Sequence, residues 1–223
     1  NLNLLKKSNV YSKDMEHDAC GVGLVASTEG KKSRAVVDYG IQALKAVWHR
    51  GAVDADGKTG DGAGIHLEIP KDFFIEKIEI TGHKFDNAEI CVGMIFLPRN
   101  NFDAQETCRT IVESELTKSN FSIYGWRQVP VNPKVLGEKA DRTRPEIAQV
   151  LFKHNNKDLS GKNLERKLYE TRRKIENEAI KKSLSGFYIC SLSSKSIIYK
   201  GMFLAESISC LLYTSPSPRD FEA

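Results

Sequence analysis

Residues 16–26 read Glu16-His17-Asp18-Ala19-Cys20-Gly21-Val22-Gly23-Leu24-Val25-Ala26, a charged run that turns apolar at a cysteine. The polar half predicts exposed chain and the apolar half a buried strand, with Cys20 at its mouth. Gly21 and Gly23 have no side chains, so a substrate or a second strand can come close to the backbone beside the thiol. From these residues alone Cys20 is either a nucleophile or a small core residue, because free cysteine is among the most buried residue types.

C-terminal to this stretch, Thr28-Glu29-Gly30-Lys31-Lys32 has the composition of a turn, and Ser33 is placed to cap a helix. Val36, Val37, Ile41, Leu44, Val47 and Trp48 recur at three- and four-residue steps, so one face of that helix is expected to lie on a sheet. His49 and Arg50 suit its last turn and Gly51 its end. Then comes the most glycine-dense stretch, Gly51 to Gly64. It imitates a phosphate loop, but five residues separate Gly51 from Gly57-Lys58-Thr59 where four are needed, and a helix precedes it instead of a strand. Gly21-Val22-Gly23 likewise imitates a dinucleotide fingerprint without opening a helix.

Beyond Gly64, Ile65, Leu67 and Ile69 alternate with polar residues as in a half-buried strand, and Asp72–Lys77 predicts a short helix. Glu89–Leu97 reads as an inner strand and Asp103–Lys118 as a helix, with Cys91 and Cys108 taken as core. Phe121–Val131 and Pro145–Phe152 follow as strands. Asn163–Ser183 is an amphipathic helix with a thin stripe of Leu164, Leu168, Ile175 and Ala179; its charges predict a solvated face. Two apolar runs, Phe187–Ser194 and Ile197–Met202, are expected to form a hairpin.

With 223 residues, 40% hydrophobic and 28% charged, the chain has the composition of one sizeable globular domain. Its charge of +4 comes from 33 basic and 29 acidic residues scattered without a one-sign block, which argues against nucleic-acid binding. Five widely spaced cysteines form no CxxC pair, so neither a disulfide framework nor a metal site is indicated, and a reducing, cytoplasmic compartment fits. No apolar run is long enough to span a membrane, and residues 1–19 lack a secretory signal's apolar core.

Five blocks together resemble one family. They are Tyr11–Gly23, the HRGA…TGDGAG pattern of residues 49–64, Gly125–Asn132 continuing to Leu136-Gly137-Glu138, Glu165–Tyr169 with Arg172-Arg173, and the paired runs near residues 187–202. The resemblance is to the class II glutamine amidotransferase domain of glutamate synthase large chains, an N-terminal nucleophile hydrolase. Pattern alone supports a mixed α and β domain; the resemblance implies an α+β fold of the αββα four-layer sandwich type, here incomplete. It also implies a propeptide at 1–19, cut between Ala19 and Cys20, and a partial amidotransferase domain at 20–204.

On this resemblance Cys20 is the catalytic residue and glutamine the substrate. A cysteine thiol titrates near 8.5 and a free α-amine near 7.7–8.0, so cutting before Cys20 gives the thiol its own base. The thiolate attacks the glutamine amide carbon and expels ammonia, leaving a thioester for water to hydrolyse. The uncut form is expected to lack glutaminase activity. The glycine-rich loop would lie beside the glutamine pocket, with Arg50 a candidate for the substrate α-carboxylate; the residues favour for Arg50 a structural role in holding the loop. His49 is read as a helix-end structural residue.

The ammonia would pass to reductive amination of 2-oxoglutarate elsewhere in the synthase. FMN and an iron–sulfur cluster are implied for the full-length enzyme, none for this chain. Partners would be the remaining synthase domains and a small reductase subunit or ferredoxin, in the cytoplasm or, in a eukaryote, a plastid. The resemblance stops near Leu204. Residues 205–223 read as an unrelated, disordered tail, with two Ser-Pro steps that favour extended chain. The family's oxyanion-hole asparagine and glycine, its glutamine-gripping arginine and its acidic residue for the substrate amine therefore have no assignable counterpart, and the chain is expected to be nearly inactive by itself. The alternative is a non-catalytic scaffold or partner-binding domain of the same fold.

Overall fold

The apolar run at residues 90–97 is the centre from which the architecture grows. The computed structural model describes residues 20–48 and 51–208. In chain order the elements are α1 (Arg34–Ala46), β1 (Ala63–Glu68), α2 (Lys71–Ile80), β2 (Ile90–Leu97), α3 (Phe102–Lys118) and β3 (Phe121–Gln128). They continue with α4 (Glu138–Thr143), β4 (Glu146–His154), α5 (Gly161–Lys181), β5 (Tyr188–Ser193) and β6 (Ser196–Gly201). Strand β2 lies inside an antiparallel sheet of order β3-β4-β2-β5, which is why its side chains are apolar on both faces. A second, two-stranded antiparallel sheet pairs β1 with β6.

Alternation along β2 divides the interior. Cys91, Ile95 and Leu97 point to one side, where Cys108, Ile111, Val112 and Leu116 of α3 meet Leu164, Leu168 and Ile175 of α5. Ile90, Val92 and Met94 point to the other, where Ile197 and Tyr199 of β6 and Phe73, Phe74 and Ile78 of α2 close the seam between the sheets. Helix α1 covers the far side of the small sheet through Ile41 and Leu44, packed around Phe203. The layers are thus helices, four-stranded sheet, two-stranded sheet and helix, an α+β architecture in the αββα order.

Most expected elements appear within a few residues of their predicted bounds. The stripe on α5 is buried at all four predicted positions, and α2 runs three residues past its predicted end. Ser33 occupies the N-cap of α1, but its side chain makes no capping hydrogen bond.

Two expectations are overturned. Val22–Ala26 is not a buried strand: residues 20–26 form no regular element, and Val22 and Leu24 are 92% and 91% exposed. A strand needs a neighbour for its backbone groups, and among the described residues β1 pairs only with β6. The apolar face of α1 consequently borders a cavity of about 710 Å³ between the 21–33 segment and β1, and no α1 residue is fully buried. The second correction concerns β5 and β6, which form no hairpin but belong to different sheets. Serine hydroxyls replace the ladder at the crossover: Ser193 Oγ accepts from the amides of Lys195 and Ser196 at 3.0 and 3.2 Å, and Ser191 Oγ from that of Ile198 at 3.2 Å. Glu165 holds the corner by accepting from Ser193 Oγ at 2.9 Å and the Ser194 amide at 2.7 Å.

His49, Arg50, the 1–19 propeptide and most of the expected tail lie outside the described residues.

Removing the Leu168 side chain, which is wholly buried, is expected to cost about 2–5 kcal/mol. Leu24→Ala is expected to stay within about 0.5 kcal/mol. Urea unfolding of the two variants checks both, and equal losses would contradict the exposed course of residues 20–26.

Candidate active site

Thiol chemistry needs an accessible sulfur that can lose its proton. Of the four described cysteines, three are buried. Burial pushes the Cys91, Cys108 and Cys190 thiols up from their ordinary value, because a thiolate would lose its solvation there. Cys20 is exposed and lies at a groove of about 1260 Å³ whose walls include Val47, Trp48, Gly60, Asp61 and Phe203. Cys91 and Cys108 are core residues, as their sequence context predicts, whereas the exposure of Cys20 removes the core reading of that residue.

The glycine-rich run is one wall of that groove. It joins a helix to a strand as a tight hairpin, in which Val53 and Gly60 form an antiparallel bridge. The Asp54 amide donates to Thr59 O at 2.9 Å and the Asp61 amide to Ala52 O at 3.2 Å. No helix opens from it, so it lacks the strand–loop–helix geometry of a phosphate loop. Gly60 is required by contact: a Cβ there would lie 2.6 Å from the carbonyl oxygen of Phe203. The hairpin therefore sits directly on the backbone that leaves β6.

Charge at the tip is concentrated in two aspartates. Hydrogen bonding to Lys139 Nζ at 2.9 Å holds the Asp54 carboxyl below its ordinary value. Asp56 is held down at about 2, chiefly by the Thr59 hydroxyl, which donates to Oδ2 at 2.6 Å, and then by the Thr59 and Lys58 amides. Asp56 and Thr59 are not singled out by the sequence reading. Their signal is an aspartate three residues before a threonine in a turn-forming run, where a short carboxylate can collect backbone amides.

Residues brought together are thus Cys20 and the hairpin. Arg50, between Trp48 and Gly51, lies outside the described residues, so its candidate role is neither placed nor displaced. Among the described residues no group of three or more His, Cys, Asp or Glu side chains is arranged to hold a metal ion, and no helix is long and apolar enough to cross a membrane.

The family model described as "Glutamine amidotransferases class-II" matches residues 20–221. The match opens on Cys20 and takes in residues 205–221, which the sequence reading set apart. A "Glutamate synthase [NADPH] large chain" from Azospirillum brasilense is 55% identical over 205 residues, covering 92% of this chain and 14% of that protein. A "Ferredoxin-dependent glutamate synthase" from Pyropia yezoensis is 39% identical over 206 residues, 89% of this chain and 13% of that protein. A second NADPH large chain, from Bacillus subtilis, is 33% identical over 203 residues, 91% and 13%. The chain spans about 14% of the length of the first of these relatives.

Native alkylation with peptide mapping is expected to modify Cys20 and to leave Cys91, Cys108 and Cys190 untouched until denaturant is added. Modification of the buried three at a similar rate would contradict the assignment. The Asp56 carboxylate also sets a pH window. Because its value falls from 3.8 to about 2 in the fold, its contribution is fully present above pH 3.8 and is lost as pH falls through about 2. The Lys58 and Thr59 amide proton resonances should hold still down to about pH 4 and move with a midpoint near 2. Asp54, Lys139 and Glu138 are the charged neighbours whose own titrations a D56N control separates. A midpoint near 3.8 would contradict the hydrogen-bonded carboxylate.

Proposed function

The chain belongs to the class II glutamine amidotransferase family, and on that premise we propose that it is the glutaminase part of a glutamate synthase, with Cys20 as its nucleophile. The observation that carries the proposal is the position of Cys20: it is the exposed thiol among the described residues, it borders the groove walled by the glycine-rich hairpin, and it is the residue at which the family match begins.

In this proposal the peptide bond before Cys20 is cut and the freed α-amine takes the thiol proton. The thiolate then attacks the side-chain amide carbon of glutamine. A carbon–sulfur bond forms, the carbon–nitrogen bond breaks, and the α-ammonium returns its proton to the leaving nitrogen, releasing ammonia. Water, deprotonated by the same amine, attacks the thioester and gives glutamate and the free thiol. The hairpin contributes a rigid wall that limits how the glutamine side chain can lie against the sulfur, which is the orientation part of the catalysis.

The ammonia is consumed, in the same reading, by reductive amination of 2-oxoglutarate in the remainder of a longer polypeptide. FMN and an iron–sulfur cluster are placed in that remainder, and none of the steps at Cys20 uses them. The relative 55% identical to this chain is named for NADPH, which supports a nicotinamide donor acting through a small reductase subunit over ferredoxin. Free thiols at four described positions suit a reducing compartment, the cytosol or a plastid.

With a glutamine-mimicking electrophile, the enzyme that carries this chain, cut before Cys20, is expected to label selectively at Cys20 and to be protected by glutamine. Cys20→Ala is expected to lower ammonia release from glutamine by about a thousandfold or more in the enzyme that carries this chain. An inert Cys20 in the cut form would replace this reading with a non-catalytic domain of the same fold.

A further inference from the structure

We propose that Asp56 is a positioning residue: with Thr59 it latches the glycine-rich hairpin onto the backbone at Gly137 and thereby fixes the groove wall that faces Cys20. The inference rests on the glutaminase reading for what the wall serves; the latch itself stands on contacts.

Residues 51–58 of the hairpin are exposed, and Thr59 and Gly60 are the two that are buried. These two are its anchors. Gly60 lies on the Phe203 carbonyl, as described above. Thr59, 3% exposed, lies on the opposite anchor with Asp56. Both oxygens of that carboxylate are occupied within the loop, and outside it the carboxylate and the Thr59 hydroxyl lie against the backbone of Gly137. Contact there is so close that a Cβ on Gly137 would overlap both the Asp56 carboxylate and the Thr59 hydroxyl. Gly137 is thus a glycine because the hairpin occupies the space a side chain would need.

Helix α4, which begins at Glu138, is a firm support. Arg99, at the turn after β2, donates through Nη1 to the carbonyl and carboxylate oxygens of Asp141 at 3.1 and 3.2 Å, and Arg144 Nε donates to the same carboxylate at 2.9 Å. The latch therefore ties the hairpin to the central strand of the large sheet, while Gly60 ties it to the small one. The nearby Lys139–Asp54 pair is a weaker link, with side chains 71% and 36% exposed and open to screening by salt.

The full chain tests this with trypsin, since Lys58-Thr59 lies in the hairpin tip. D56A and G137A are expected to speed native cleavage after Lys58 about tenfold. D56N is expected to fall between them and the parent, and K139A to stay within about twofold of the parent. In the enzyme that carries this chain, cut before Cys20, the ratio of labelling rates for a glutamine-mimicking electrophile and for iodoacetamide is expected to fall about tenfold in D56A and G137A, with iodoacetamide unchanged. A merely structural role would leave that ratio alone. Unchanged Lys58 cleavage overturns the latch, and faster cleavage with an unchanged ratio overturns its positioning role. A parent with no preference for the mimic refutes the glutaminase reading, while Lys58 cleavage still decides the latch. If D56A does not fold, D56N and G137A carry the same comparison.

Discussion

The seam between the two sheets is the constraint on which the rest of the molecule depends. Burying Ile90, Val92, Met94, Ile197 and Tyr199 there removes enough apolar surface for each large side chain to contribute about 1.5–3 kcal/mol, but apolar contact has no direction and would allow the sheets to slide. Direction comes from Gln149, wholly buried on β4. Its Oε1 accepts from Arg127 Nη1 at 2.8 Å, and its Nε2 donates to the Tyr199 hydroxyl of β6 at 3.2 Å. A buried amide left unpaired would be costly, so this bridge holds one relative placement of the sheets.

That placement reaches the groove through β6. The Ser191 and Ser193 hydroxyls take the amides released where the chain leaves the large sheet, and Glu165 of α5 holds the corner. Strand β6 then pairs with β1 and ends at the Phe203 backbone against which Gly60 rests. On the other side, α4 carries Gly137 to the hairpin tip. A loop with eight exposed residues is given a defined shape by two close contacts to elements that are themselves fixed. Rigid scaffolds positioning exposed functional loops in this way is a general arrangement.

Elements whose own side chains bury against a neighbour were legible in the sequence. The period-2 run of β1, the unbroken apolar run of β2 and the stripes of α3 and α5 each carry their partner's presence in their pattern. The segment after Cys20 has the same kind of pattern, yet Val22 and Leu24 are exposed, because periodicity reports readiness to pair and no described strand pairs with it. The β5–β6 runs looked like a hairpin because sequence spacing cannot distinguish a turn within a sheet from a crossing between sheets; three serines and a glutamate decided it. For the candidate site, Cys20 was legible from its setting and the family resemblance. The docking of Asp56 and Thr59 on Gly137 was not, since contacts eighty residues apart leave no local trace.

Cys20 is central because the chemistry proposed for it requires an α-amine as well as a thiol. The most direct measurement is the intact mass and N-terminal sequence of the active enzyme purified from cells that make it. The account predicts an N-terminus at Cys20, with the Ala19–Cys20 bond cut. A fully active enzyme that retains residues 1–19 in peptide linkage to Cys20 would contradict it, because the thiol would then have no amine of its own.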